Sequence, residues 1–255
     1  NITRLRYTYN WSFDDYNKPA VNFYTDKIHK RNDYKWTHPV HEVLTYTWQK
    51  HEKFVTTDEI TLNHYPDLEK SWSSYLPLLE LSVKEDPNDD RNMHYLGREY
   101  MYHQKYNEAI DTLIKHLNLK TATWKDERAA SMRFIGRCYS NLERYEEAIL
   151  WYKKAIKEAP YLRDAYVELA ILYHKLNKNT KVIYYTNKAL SIKNKNMTYI
   201  NEIFSWDNTI YDIRSIAFYN MGKYKASLKN INIAISMDKT NERLINNKKI
   251  IERNI

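Results

Sequence analysis

The spacing of apolar residues changes once along this 255-residue chain, near residue 70. Before that point apolar and polar positions alternate. Arg4-Leu5-Arg6-Tyr7-Thr8-Tyr9 and Glu59-Ile60-Thr61-Leu62-Asn63-His64 alternate along the chain, and Val21-Asn22-Phe23-Tyr24 and Phe54-Val55-Thr56-Thr57 are β-branched and aromatic. That pattern predicts half-buried strands. Asp14-Asp15 and Arg31-Asn32-Asp33 read as turns. Residues 1–70 therefore read as a β-rich segment, too small and too open to be a complete domain. Beyond residue 70 the period is helical. Leu76, Leu79 and Val83 share one helix face, and Pro77 sits in the first turn, where a missing N–H is tolerated. Pro87 ends that helix, and Asp89 or Asp90 can cap the next.

Residues 71–255 contain an internal repeat. Leu96-Gly97…Tyr100…Tyr106…Ala109…Leu113…His116 matches Ile135-Gly136…Tyr139…Tyr145…Ala148…Tyr152…Ala155…Pro160 at every shared spacing. Further copies run Leu169-Ala170…Tyr173…Val182…Ala189 and Ser215…Phe218…Gly222…Tyr224…Ser227…Ala234. The small residue of the first helix recurs at 97, 136, 170 and 215, and that of the second at 109, 148, 182 and 227. Both series step by 39, 34 and 45, so the unit is 34 residues, with insertions of five and eleven. These residues resemble the tetratricopeptide repeat (TPR). Small residues allow paired helices to approach closely, and tyrosines fill the gap to the next hairpin. The expected fold is mostly α: a TPR-like α-solenoid of helical hairpins preceded by a small β-rich segment. Repeats are expected at about 90–120, 129–160, 163–194 and 208–240, with a closing helix at 241–253.

Composition removes several function classes. There are three glycines, Gly97, Gly136 and Gly222, far apart, so no glycine-rich phosphate loop exists. One cysteine, Cys138, excludes a disulfide framework and fits a reducing, cytoplasmic compartment. No apolar run approaches the ~18 residues of a membrane span, so no membrane partner is expected. The net charge of +8 lies entirely beyond residue 176, where 14 basic face 6 acidic residues. That stretch is also rich in Asn and Ile, which favours compositional drift over a nucleic-acid site.

The first 70 residues carry more specific wording. Trp36-Thr37-His38-Pro39-Val40-His41-Glu42-Val43-Leu44 precedes repeats that contain Tyr95-Leu96-Gly97-Arg98-Glu99-Tyr100 and Glu127-Arg128-Ala129-Ala130-Ser131-Met132-Arg133. This combination resembles the C-terminal part of a family-2-type glycosyltransferase catalytic domain (GT-A fold) with a TPR tail. The resemblance implies that residues 1–70 are a remnant of that domain. It implies His41 as a ligand toward metal and diphosphate, Glu42 as a helper near the acceptor, and a divalent Mg or Mn ion in the full-length enzyme. A nucleotide sugar and a glycan or protein acceptor would be the substrates. No Asp-x-Asp occurs in the chain, and Asn1 stands where an initiator methionine would. The expectation is a truncated chain that does not transfer sugar alone. The alternative is a stand-alone TPR adaptor that binds a protein or peptide in its groove.

Two other sets of residues carry candidate chemistry. Trp11 and Trp36 can stack on a sugar face or pack in a core. Arg91, His94 and Arg98, followed by Arg133 and Arg137, fall on the groove face of two successive first helices, where guanidinium forks suit carboxylate or phosphate. The bland reading is that Glu99, Glu127 and Asp164 neutralise them between repeats.

Overall fold

The computed structural model describes all residues except 1, 15, 16, 39, 41, 50 and 67–74. It is mostly helical and TPR-like, with a small N-terminal β segment. The described residues divide into two compact units. The first comprises residues 1–123 and 196–201, and the second residues 124–195 and 202–255.

In the first unit, β1 (Arg4–Phe13) pairs antiparallel with β2 (Pro19–His29) and parallel with β5 (Phe54–Asn63). The resulting sheet has the order β2-β1-β5. A separate hairpin joins β3 (Tyr34–Thr37) and β4 (Val43–Tyr46), with Trp36 opposite Leu44. Arg4 ties these parts together. Its Nη1 donates to Asp26 at 2.7 Å, its Nη2 to the Leu44 carbonyl at 3.0 Å, and its Nε lies 2.6 Å from Glu52. Three helices follow: α1 (Tyr75–Glu85), α2 (Asp90–Tyr102) and α3 (Tyr106–Asn118). Asp89 caps α2, accepting from the Asn92 N–H at 2.9 Å, as expected for an Asp placed just ahead of a helix. Val40, between β3 and β4, is buried with Leu76 and Leu79 of α1 and Tyr95 and Leu96 of α2. His38 Nδ1 lies 3.1 Å from Asp89.

In the second unit, α4 (Lys125–Asn141) pairs with α5 (Tyr145–Glu158), α6 (Asp164–Lys175) with α7 (Asn179–Ser191), and α8 (Thr209–Asn220) with α9 (Tyr224–Met237). The last helix, α10 (Glu242–Glu252), buries Leu244 and Ile251 against Ile231 and Ala234 of α9.

The same hairpin geometry recurs in both units. A Cβ on Gly97 would sit 2.5 Å from Leu113 Cγ, and one on Gly136 would sit 2.9 Å from the Tyr152 ring. In the last pair Ser215 and Ser227 replace the apolar small residues, and their buried hydroxyls are satisfied across the crossing. Ser227 Oγ donates to the Ser215 carbonyl at 2.8 Å. Each first helix ends on a left-handed residue seven positions after its small residue: Gln104 (φ 60°), Glu143 (59°), Asn177 (55°) and Gly222 (70°). The following N–H closes the turn on the carbonyl five residues earlier, Lys105 to Tyr100, Arg144 to Tyr139, Lys178 to Tyr173 and Lys223 to Phe218, each at 2.9 Å. This is the Schellman ending. Glycine takes the left-handed conformation without cost only in the fourth copy.

Candidate functional site

A cleft of about 520 Å³ lies in the first unit, between the strands and α2. Its lining combines Arg4, Arg6 and Lys27 from the strands with Arg91 and Arg98 from α2. Aromatic faces come from Trp11, Phe23, Trp36, Tyr95 and Tyr199, and the carboxylates are Asp26 and Glu42. Among the described residues, five cationic side chains and two carboxylates line it. Both even-numbered Arg4 and Arg6 and odd-numbered Tyr9 and Trp11 of β1 line the cleft. A regular strand puts such positions on opposite faces. Register irregularities between Leu5 and Tyr7 against β2, and between Tyr7 and Thr8 against β5, fall at this change of side. Bulges of this kind re-aim side chains.

The walls are fixed by stacking. Trp11 stacks on His64, with ring centroids 4.4 Å apart and planes 6° from parallel. Tyr199 stacks on Tyr95 at 6.1 Å and meets Phe23 edge-on at 6.3 Å. Arg91 and Arg98 lie over the Tyr95 ring at 5.0 and 4.5 Å. Burial lowers the Arg4 proton affinity, but Asp26, Tyr34 and Glu52 outweigh it and hold the guanidinium above its usual range. Burial also raises the Tyr9 phenol.

Of the residues singled out from the sequence, Trp11, Trp36, Glu42, Arg91 and Arg98 thus line one cleft. His41 lies outside the described residues. His94 is fully buried, its ring 5.5 Å from that of His116, and does not line the cleft. Arg133 and Arg137 belong to the second unit, where their charges are met from within the fold. Arg133 Nη1 donates to Glu168 at 2.5 Å, and Arg137 Nη2 donates to Glu168 at 2.8 Å and to Glu202 at 2.7 Å. Arg133 and Glu168 are buried, and Arg137 is about one quarter exposed. Burial works against both guanidiniums, yet Glu168 and Glu202 hold the Arg137 proton well above the ordinary arginine range. Conversely, burial raises the Glu202 carboxyl, but the two arginines outweigh it and leave it below its usual value.

A divalent cation fits the described cleft poorly. Asp26 is engaged by Arg4, Glu42 is the other lining carboxylate, and the cationic excess opposes a dication.

Residues 129–162 match the model of the tetratricopeptide repeat. That span takes in most of α4 and all of α5, so the TPR register holds in sequence as well as in packing. The solved structures similar to this chain include MamA, at 21% identity and TM-score 0.53, covering 71% of this chain and 99% of MamA. The APC/C hetero-tetramer Cut9-Hcn1 is similar at 13% identity and TM-score 0.56, over 71% of this chain and 33% of that one. YrrB, described as a TPR protein with an unusual peptide-binding site, is similar at 12% identity and TM-score 0.50, over 69% and 83%. Among curated proteins, the transcription factor tau 131 kDa subunit of Saccharomyces cerevisiae is 38% identical over 74 residues. The match takes in 29% of this chain and 7% of that subunit's length. These likenesses support TPR repeats and lend nothing to a glycosyltransferase portion. No helix of the described residues is long and apolar enough to cross a membrane.

Proposed function

We propose that the chain is a TPR interaction module that holds a protein or peptide partner along the first helices of its hairpins, acting in the cytoplasm. The observation that carries this reading is the recurring hairpin, with the same small-residue crossing and the same left-handed turn in each copy. Within the second unit such pairs stack on one another, α5 against α6 and α7 against α8, and this arrangement leaves the first helices α4, α6 and α8 as a binding surface. Tyr102 and Asn141 are exposed and occupy equivalent places at the ends of α2 and α4, whereas the exposed Leu150 lies on a second helix. A photo-crosslinking residue at 102 or 141 is expected to trap a partner that the same residue at 150 does not. Crosslinks from position 150 alone, or from none of the three, would remove the reading.

A second reading, the acceptor-side part of a glycosyltransferase, is favoured by one feature: Trp11, Trp36 and Glu42 meet in one cleft. In that reading the nucleotide sugar, and the Mg or Mn ion with His41 beside it, depend on chain beyond the residues present here. Sugar transfer by a longer gene product carrying an Asp-x-Asp, lost in His41→Ala and partly restored by added Mn²⁺, is its test. Full transfer by the alanine variant at limiting metal counts against it.

A further inference from the structure

We propose that the second unit carries its own stand-in ligand: residues 202–206 fill the first-helix face of α4 and α6, and a partner with an acidic–aromatic segment of the form Glu-x-Phe-x-Trp binds there by displacing them. This rests on the interaction-module reading and names the chemistry of the partner and its competitor.

Three features of the segment point to that role. The first is where it sits. Glu202 Oε1 accepts from Arg137 Nη2 at 2.7 Å and from Arg133 Nη1 at 3.3 Å. Both arginines stand on the groove face of α4, where a bound peptide would lie. Phe204 packs against Val167 of α6 and Ile210 of α8, with the Arg137 guanidinium 5.8 Å from its ring. Arg163, just before α6, donates from Nη1 to the Ser205 carbonyl at 3.2 Å and lies 3.6 Å over the Trp206 ring. Ile203, between the first two anchors, is 43% exposed. A carboxylate gripped by guanidiniums and aromatic rings held at every second residue are how a groove reads a short peptide.

The second feature is charge. Glu168 is bonded to both arginines as well, so removing Glu202 takes one negative charge from beside two guanidiniums. The vacated face therefore favours an acidic segment over a neutral one. The third is the tether. Residues 192–202 lie where the repeat carries eleven extra residues, and they form no helix or strand. The segment is anchored through side chains and adds no strand or paired helix of its own. It can leave the face without unfolding a hairpin.

Displacement of the segment in the full chain tests this. Ile203→Cys, at an exposed position, takes a nitroxide spin label. Cys138 is buried, and burial pushes its thiol up to about 12, so it stays unlabelled. The probe is a peptide copying residues 200–207. A closely tethered segment competes at an effective concentration of about 1 mM. Peptide at that level is expected to turn the label's spectrum from slow to fast motion. In a labelled chain that also carries Glu202→Gln, the segment's own anchor loses its charge while Arg133 keeps Glu168. The same release is then expected at about tenfold less peptide, because a hydrogen bond between charged groups accounts for roughly a factor of ten. A peptide with Gln for its Glu and Ala for its Phe should leave the label slow. A label unmoved by the copying peptide in both chains overturns the proposal and makes the segment a fixed part of the fold. Release by the altered peptide, or an equal peptide demand in both chains, also overturns it. A chain that traps a partner at residue 102 or 141 yet never frees its segment keeps the interaction reading and loses this one.

Discussion

Arg98 and Arg137 stand at the same place in successive repeats, each one residue after the small glycine of its first helix. Their surroundings differ completely. Arg137 shares Glu168 and Glu202 with the buried Arg133, a network of two guanidiniums and two carboxylates inside the second unit. Arg98 lies 3.6 Å from Glu99 and lines a cleft in the first unit where, among the described residues, cationic side chains outnumber carboxylates. A register position therefore dictates where a side chain points and leaves its role to whatever faces it. One fold carries the same residue type as a strut in one unit and as part of a cleft wall in the other.

The largest test of this contrast removes a carboxylate from each unit. Glu168→Ala removes the closest partner of the buried Arg133 and should cost about 3–5 kcal/mol in urea unfolding, as breaking a buried ion pair does. Glu42→Ala, at the exposed rim of the cleft, should change stability by no more than ~0.5 kcal/mol. Equal losses would erase the distinction between strut and wall.

Next in size are the shared hairpins. Gly97→Ala and Gly136→Ala gain helix propensity but push a methyl against Leu113 and Tyr152. Overpacking of this kind typically costs ~1–3 kcal/mol, and the closer contact at Gly97 makes it the more damaged of the two by thermal melting. Unchanged melting of both variants would break the crossing geometry common to the units.

Acid separates the units more gently. A carboxyl held below its ordinary value stabilises the fold above that value and ceases to do so as pH falls through its folded pKa. For Glu202 the loss begins below the ordinary glutamate value of 4.5. Denaturation midpoints at neutral and acid pH should therefore fall further for the natural chain than for Glu202→Gln. A parallel fall in both would show that Glu202 is not held by the arginines. The smallest effect is at the turns, where Gln104→Gly and Glu143→Gly relieve a left-handed side chain and should gain up to about 1 kcal/mol. A loss in both would show that the side chains themselves hold those turns.

The repeat helices were legible because their packing is local in sequence. A glycine and an alanine twelve residues apart, as at Gly97 and Ala109, mark one crossing, and tyrosines mark the next. Strands were legible at β1, β2 and β5, where alternation is long. The β3–β4 hairpin was not, because Tyr34–Thr37 is short and the residues after it drew attention as a motif. The charge network shows the limit more sharply. Glu99, Glu127 and Asp164 were the expected partners, all near the arginines in sequence or on the next helix. Glu99 does lie 3.6 Å from Arg98, and the charge of Asp164 acts on Arg133, but the carboxylates bonded to Arg133 and Arg137 are Glu168 and Glu202. Glu202 comes from an insertion 69 residues beyond Arg133, and no periodicity announces it. The cleft was illegible for the same reason. Trp11, Trp36, Glu42, Arg91 and Arg98 each stood out alone, but only strand pairing and the arrival of Tyr199 put them around one space.

Tyr199 also sets a timetable. Its short segment, residues 196–201, belongs to the first compact unit although seven helices of the described residues, α1 through α7, are made before it. A ribosome releases the chain from its N-terminus. The strands and α2 are therefore complete long before the ring that stacks on Tyr95 has left the exit tunnel. During that interval the cleft lacks one wall, and a chain cut after residue 123 would lack it permanently. The first unit is thus finished only after residues 124–195 of the second have been made.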